Sequence, residues 1–346
     1  MAETSDPLQF MPHYQNLTFL AKNFPDHVMA EIRASPLRAV APTVGMPEEA
    51  LTASGTTTLP TVTAHGMGDS CWEPGMISIA RGIGKKTGTY ARCVPTAGNV
   101  IADTIDGFLK DMDSSVDYFA RKIRADPKLA GGFNAIGFSQ GNSLIRGYIQ
   151  KYNDPPVNAF VSVHGTVMGV SALPSCFEQE KPLGLICKSI AEVLGNLAYL
   201  PIAQRLLFQA DYYRAPKKVS GEAYLRHSQL ANWNNEDTTN SNATYAANFA
   251  KVKKFGMVKA MQDSMVYPND GEWWGAMDDE TYDKVLPMNE TKFYKNDLFG
   301  LRTADEAGKL HFESTAGGHL DFTDAELYGW VEKYFMTEAQ SETIVV

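Results

Sequence analysis

Long apolar runs are missing from this 346-residue chain. Its most apolar region, Leu183 to Leu207, is interrupted by Lys188, Glu192 and Arg205, so no segment offers the roughly 20 apolar residues of a membrane-spanning helix. Positive charge is also scarce. With 31 Lys+Arg against 40 Asp+Glu the net charge is −9, which excludes the basic footprint of a nucleic-acid binder and a polybasic lipid patch. Only four cysteines occur, Cys71, Cys93, Cys176 and Cys187, an even number compatible with thiols or with bridges. The opening residues MAETSDPLQF have neither a basic start nor an apolar stretch, so no signal peptide is visible; a cytoplasmic protein and a lost leader are the alternatives. There is no H-E-x-x-H and no paired C-x-x-C, and Gly66-Met67-Gly68 lacks the third glycine of a dinucleotide loop. Neither a metal nor a cofactor is expected.

What remains is an ordinary globular composition, 44% hydrophobic and 21% charged. Residues 1–58, rich in Pro, Ala and Thr, read as an N-terminal extension, and 337–346 as a flexible tail. Between them, β-prone runs at Thr61–Ala64, Thr89–Val94, Phe133–Ile136, Ala159–Val163, Gly256–Met261 and Lys309–Glu313 alternate with helical patterns. The helices are expected at Gly75–Lys86, Val100–Ala125, from Asn142 onward and at Asp324–Phe335. Such alternation predicts an α/β fold with a mostly parallel sheet flanked by helices. The stretch from about 171 to 255 breaks the pattern and reads as an inserted helical cap.

The chemistry concentrates at Gly137-Phe138-Ser139-Gln140-Gly141, set between a strand and a helix. That is the setting of a nucleophile elbow, where glycines two residues either side of the serine let strand and helix pack closely. A serine hydroxyl needs a base and an acid to orient the base, and on this fold they follow the serine in the order acid, then histidine. Of seven histidines, His319 in Ala316-Gly317-Gly318-His319 follows the last strand on a glycine-flexed loop and is the base by position; His164 comes too early. For the acid, Asp263 at the end of the strand Gly256–Met261 competes with Asp270, whose Pro-Asn-Asp-Gly turn accounts for an aspartate by itself; Asp263 is favoured. Two backbone donors must meet the oxyanion, one from Gln140 and one from the His65-Gly66-Met67-Gly68 loop, at or beside Met67.

At these residues the chain resembles the lysosomal palmitoyl-protein thioesterases, a family of the α/β-hydrolase fold. The matching segments are HGMGDSC (65–71), DPKLAGGFNAIGFSQGNSLIRG (126–147), ALPSCFEQEKPLGLIC (172–187), LLFQADYYRAP (206–216), NATY (242–245), KKFGMVKAMQDSMVYPNDGEWWG (253–275) and AGKLHFESTAGGHLDF (307–322). They span roughly 59–336 in order. The resemblance implies Ser139 as nucleophile, Asp263 as acid, His319 as base, oxyanion donors at Met67 and Gln140, a Cys176–Cys187 disulfide and a glycan at Asn242. Asn289 and Asn16 are further sequons. It also implies S-acylated proteins or peptides as substrates and a lysosomal or secretory location. Three places depart from the family: Cys71-Trp72 stands where two cysteines are common, Tyr213-Arg214-Ala215 replaces a Trp-His-Asp form, and Asn142 stands where glycine is usual. A Cys71–Cys93 bridge stays open.

The function expected is hydrolysis of long-chain acyl thioesters. An acyl-CoA thioesterase or carboxylesterase with the same triad is the alternative, and a non-catalytic lipid-binding glycoprotein a more distant one. Leu194, Leu197, Leu200, Ile202, Leu206 and Leu207 of the cap, with Val167, Met168 and Val170, either line an acyl groove or pack the cap onto the core.

Overall fold

The computed structural model describes residues 58–172, 198–281 and 283–336. The expectations for most of the N-terminal extension, the tail, Asn16, Leu194, Leu197 and the Cys176–Cys187 pair lie outside them. Six strands form one sheet: β1 Thr61–Ala64, β2 Ala91–Cys93, β3 Phe133–Phe138, β4 Val157–Val163, β5 Lys254–Ala260 and, after the small antiparallel pair β6 Ala276–Met277 and β7 Val285–Leu286, β8 Leu310–Thr315. Their order is β2-β1-β3-β4-β5-β8, every neighbouring pair parallel. This is the α/β-hydrolase architecture. The chain runs outward from β1 to β2 and then crosses back to β3. The crevice beyond the carboxyl ends of β1 and β3 is therefore the topological switch point, where open parallel sheets place ligands.

Strand alternation builds two cores. Phe133 and Ala135 of β3 face one side with Phe255 and Met257 of β5, against Val116, Phe119 and Ile123 of α3 (Met112–Arg124) and Leu144, Ile145 and Tyr148 of α4 (Gly141–Lys151). Ile136 and Phe138 face the other way, with Val258, against Met76 and Ile83 of α1 (Pro74–Thr87) and Leu327, Trp330 and Val331 of α12 (Asp324–Phe335). Both faces are covered, so the strands read as nearly continuous apolar runs.

The single helix expected at 100–125 is two, α2 (Val100–Leu109) and α3. Lys110 is extended, and Asp111 caps the second helix by accepting the Ser114 N–H at 2.7 Å. The freed Met112 N–H goes to Asp211 Oδ2 at 2.6 Å. Between β4 and β5 the described residues form five short helices, α5 Pro201–Leu206, α6 Phe208–Tyr212, α7 Glu222–His227, α8 Gln229–Trp233 and α9 Ala243–Phe249. A second excursion, unforeseen in the sequence, follows β5 and holds the 3₁₀ turn Asn269–Trp273, the β6/β7 pair, α10 (Lys292–Lys295) and α11 (Leu301–Glu306).

Candidate active site

The turn from β3 to α4 sets Ser139 at φ 52°, a left-handed conformation that costs a non-glycine residue about 1 kcal/mol or more. Its surroundings hold it there. Ser139 N–H donates to Val163 O at 3.0 Å, and Asn142 Nδ2 donates to Ser139 O and Val163 O at 3.0 and 2.9 Å. Asn142, the departure noted above, thus stitches the elbow to β4. The two flanking glycines are steric requirements. A Cβ on Gly137 would lie 2.5 Å from Asn142 Oδ1, and one on Gly141 only 2.4 Å from Ala64 O.

His319, on the loop after β8, places Nε2 2.8 Å from Ser139 Oγ and Nδ1 2.6 Å from Asp263 Oδ2. With Nδ1–H donated to the carboxylate, Nε2 carries the lone pair that accepts the serine proton. Asp263 leaves the end of β5, where its Oδ1 accepts the N–H groups of Met265 and Val266 at 2.6 and 2.9 Å. Burial alone would raise this carboxyl, but hydrogen bonding, led by His319, outweighs it and holds Asp263 down at about 2. Asp270 faces elsewhere, paired with Lys259 Nζ at 2.8 Å. The structure brings Ser139, His319 and Asp263 together and leaves Asp270 out.

The loop after β1 lies against the elbow: a Cβ on Gly66 would stand 3.2 Å from Ser139 Cβ. Beneath it, His65 Nδ1 bonds Gly66 O at 2.9 Å and Nε2 lies 3.1 Å from Asp103 Oδ2. Both ring nitrogens lie beside oxygen atoms, a setting that favours the protonated ring. Burial opposes that charge, yet Asp103 outweighs it and lifts His65 to about 9. Asp103 also accepts from Ser70 Oγ and Cys71 N–H at 3.1 and 3.0 Å, and from Thr96 N–H and Ala97 N–H at 2.6 and 3.2 Å. One carboxylate therefore ties the Met67 loop to the loop after β2. A Cys71–Cys93 disulfide spans the same two loops, with Cα atoms 5.3 Å apart. Gln140, the residue after the serine, is anchored by its side chain: Nε2 donates to Gly107 O at 2.8 Å, while Oε1 accepts from Gln209 Nε2 and Tyr212 OH of α6 at 2.9 and 3.1 Å.

Three of these groups were not read from the sequence as parts of the site: Asp103, the Gln209–Tyr212 pair and His164. His164 is buried, and burial with the neighbouring His319 keeps it neutral, near 4. Its Nδ1 accepts Leu320 N–H at 2.8 Å, so Nε2–H goes to Thr315 Oγ1 at 3.0 Å, holding the loop that carries His319.

A cavity of about 250 Å³ opens at Ser139, lined by Met76 and Ile79 of α1, Phe138, Met265, Leu320 and Phe322, with Gly66, Met67, Asp69 and His319 at its polar end. Of the cap positions named for an acyl groove, Leu194, Leu197 and the Ile202 side chain lie outside the described residues, and none of the described ones lines this cavity. Val167, Met168, Val170, Leu206 and Leu207 are buried in packing, and Leu200 is 45% exposed. The five buried positions pack the interior, and among the described residues Met76 and Ile79 of α1 form part of the cavity's apolar wall. Asn242 and Asn289 are both exposed, and Asn242 caps α9 through Oδ1. Among the described residues two clusters bring potential metal-ligand atoms within 4.8 Å, His65–Cys71–Asp103 and Asp263–Glu272–His319, but the Cys71 sulfur is in the disulfide and the second cluster includes the triad acid and base.

A parallel sheet with a strained serine at its switch point, a histidine on that serine and a buried aspartate behind it define a serine hydrolase of the α/β-hydrolase class. The sequence matches the profile of the palmitoyl protein thioesterase family over residues 60–319. It is 36% identical to palmitoyl-protein thioesterase 1 of Caenorhabditis elegans over 82% of this chain and 94% of that one. It is 33% identical to palmitoyl-protein thioesterase 3 of Dictyostelium discoideum over 62% of this chain and 71% of that one, and 25% identical to the lysosomal thioesterase PPT2 homolog of Drosophila melanogaster over 60% and 67%. The chain belongs to the palmitoyl protein thioesterase family.

Proposed function

We propose that this enzyme removes long-chain acyl groups, palmitoyl among them, from the cysteine thiols of proteins or peptides. The observation that carries the reading is the Ser139–His319–Asp263 chain of hydrogen bonds opening onto an apolar cavity. His319 Nε2 takes the Ser139 proton as Oγ attacks the thioester carbonyl. The oxyanion that forms meets the backbone N–H groups of Met67 and Gln140. His319 then returns the proton to the departing cysteine sulfur, leaving an acyl-serine, and a water activated by the same nitrogen releases the fatty acid. The acyl chain lies along Met76, Ile79, Phe138 and Phe322. The family relatives, and the Cys71–Cys93 bridge, favour a lysosomal or secretory setting, with Cys176–Cys187 as a second disulfide and glycans at Asn242 and Asn289.

Each buried methylene contributes ~0.8 kcal/mol. With acyl-thioester substrates of eight to sixteen carbons, kcat/KM should rise steeply with length, and an oxyester of the same length should be slower. A flat or falling series would leave the hydrolase but remove the long-chain assignment in favour of a short-chain esterase.

A further inference from the structure

Behind the triad acid lies a second carboxyl that the reaction as written does not use. Glu272 belongs to the 3₁₀ turn Asn269–Trp273, which folds back against the end of β5, and it is 0% exposed. Its Oε2 accepts the N–H of Ala260, the last residue of β5, at 2.7 Å. Its Oε1 is buried and receives no N–H or O–H among the described residues. Glu272, Asp263 and His319 present ligand atoms within 4.8 Å of one another. The nearest cation does not neutralise it: Lys259 pairs with Asp270 at 2.8 Å and lies 5.1 Å over the Trp273 ring.

Two carboxylates this close, both out of water and with no cation between them, do not ionise together; one retains a proton. The donors decide which. Asp263 accepts three, the N–H groups of Met265 and Val266 and His319 Nδ1–H, whereas Glu272 accepts one. The proton therefore belongs to Glu272, and Oε1, the oxygen without a donor, is where it sits. Burial first, and then the Asp263 charge, push Glu272 up to about 10.

Resting on the hydrolase reading above, we propose that Glu272 is a neutral positioning residue whose Oε1–H donates a hydrogen bond to the Asp263 carboxylate and so fixes that carboxylate on His319 Nδ1. A carboxylic acid suits this place for a definite reason. It supplies a donor without a positive charge, so Asp263 is oriented yet keeps its negative charge, and most of its attraction, for the imidazolium that forms during turnover. A lysine or arginine there would cancel that attraction. The other charged or titratable groups facing the cluster are His164, whose ring lies 6.1 Å from that of His319, Glu326 beyond it, and the Lys259–Asp270 pair.

The test compares the wild type with Glu272→Gln and Glu272→Leu. In Glu272→Gln the amide oxygen replaces the acceptor of Ala260 N–H and the amide NH₂ replaces the donor to Asp263. That variant should lose no more than about threefold in kcat/KM and keep the acid limb of its pH profile in place. Glu272→Leu should lose about 10–100-fold, the range for a hydrogen bond to a charged group. Its acid limb should move to higher pH, because Asp263 stripped of a donor holds the imidazolium more tightly. An ionised Glu272 predicts the opposite sign, both variants moving the limb to lower pH as a negative charge is removed, and that result would overturn the proposal. So would equal losses in both variants with no movement of the limb, the mark of packing alone. Should Glu272→Leu fail to fold, infrared spectroscopy decides: the C=O stretch of a protonated buried carboxyl is expected in the wild type at pH 7 and lost in Glu272→Gln, and its absence from the wild type rejects the idea. Fluorophosphonate labelling of wild-type Ser139 separates the two levels. A labelled wild type with the wrong variant behaviour sinks only the role of Glu272, while no labelling at Ser139 removes the hydrolase reading beneath it.

Discussion

His65 Nε2 stands 3.1 Å from Asp103 Oδ2 in the interior, a buried imidazolium–carboxylate pair that carries the loop bearing Met67. Because Asp103 also gathers donors from Ser70, Cys71, Thr96 and Ala97, the pair fixes both the conformation of that loop and its distance from the elbow.

A pH dependence of stability follows. The His65 ring sits near 9 in the folded protein against 6.5 unfolded, so its contribution is complete below 6.5 and is lost as pH rises through 9. The loss is on the order of 3 kcal/mol. The wild-type Tm should fall between pH 6.5 and 9, and His65→Gln should have a lower Tm at pH 6 with this alkaline slope removed. Thermal denaturation of both proteins across that range is the measurement, and an unchanged slope in His65→Gln would contradict the assignment.

Ser139→Ala should abolish fluorophosphonate labelling and lower turnover by about 10⁴-fold or more, with the fold retained. Relief of the positive φ is not expected, since alanine is no more at ease there than serine. Labelling that persists in a folded Ser139→Ala protein would reject the mechanism outright.

The two aspartates should separate by kinetics. Asp263→Asn leaves His319 Nδ1 without its carboxylate and favours the wrong tautomer, at a cost of about 10³–10⁴-fold in turnover. Asp270→Asn removes only a partly exposed partner of Lys259, worth about 1 kcal/mol or less, and turnover should stay within a few-fold. The reverse ranking would mean that the acid is Asp270.

How far the site could be read from the sequence depends on how local its signals are. Gly137, Ser139 and Gly141 announce the elbow because their spacing is local to one turn, even though the clash Gly141 avoids is with the distant end of β1 while that of Gly137 is with Asn142 next door. Asp263 and His319 were legible from chain order, each following a strand. Glu272 was not, because its meeting with Asp263 depends on a 3₁₀ turn folding back on β5. Asp103 was hidden for a similar reason: α2 lies far in sequence from the loop it holds. The break at Lys110–Asp111 does carry a local sign, the Asp111 cap, which the apolar pattern of 100–125 masked. The dense leucines of the cap do not tell a groove from packing, because both need apolar side chains; of the described ones, Leu206 and Leu207 are buried, and the cavity at Ser139 is lined in part by α1.

The Cys71–Cys93 disulfide offers the last test, because its two ends sit on the two loops that Asp103 joins. The cysteines are separated by 22 positions, so on the chain-entropy model the bridge stabilises by about 3 kcal/mol. Its loss should also act on the chemistry. Cys71 N–H is one of the Asp103 donors, and loosening it frees the segment that runs back through Ser70 to Met67. A Cys71→Ser/Cys93→Ser double variant should therefore show a lower Tm and a reduced kcat with KM little changed, since an oxyanion donor matters most in the transition state. Wild-type protein treated with a dithiol should move toward the same values, while the double variant, assayed by the same thermal melt and steady-state kinetics, should show no further response at this site. A double variant that loses stability but keeps its full kcat would show that the His65–Asp103 pair holds the oxyanion loop without help from the bridge.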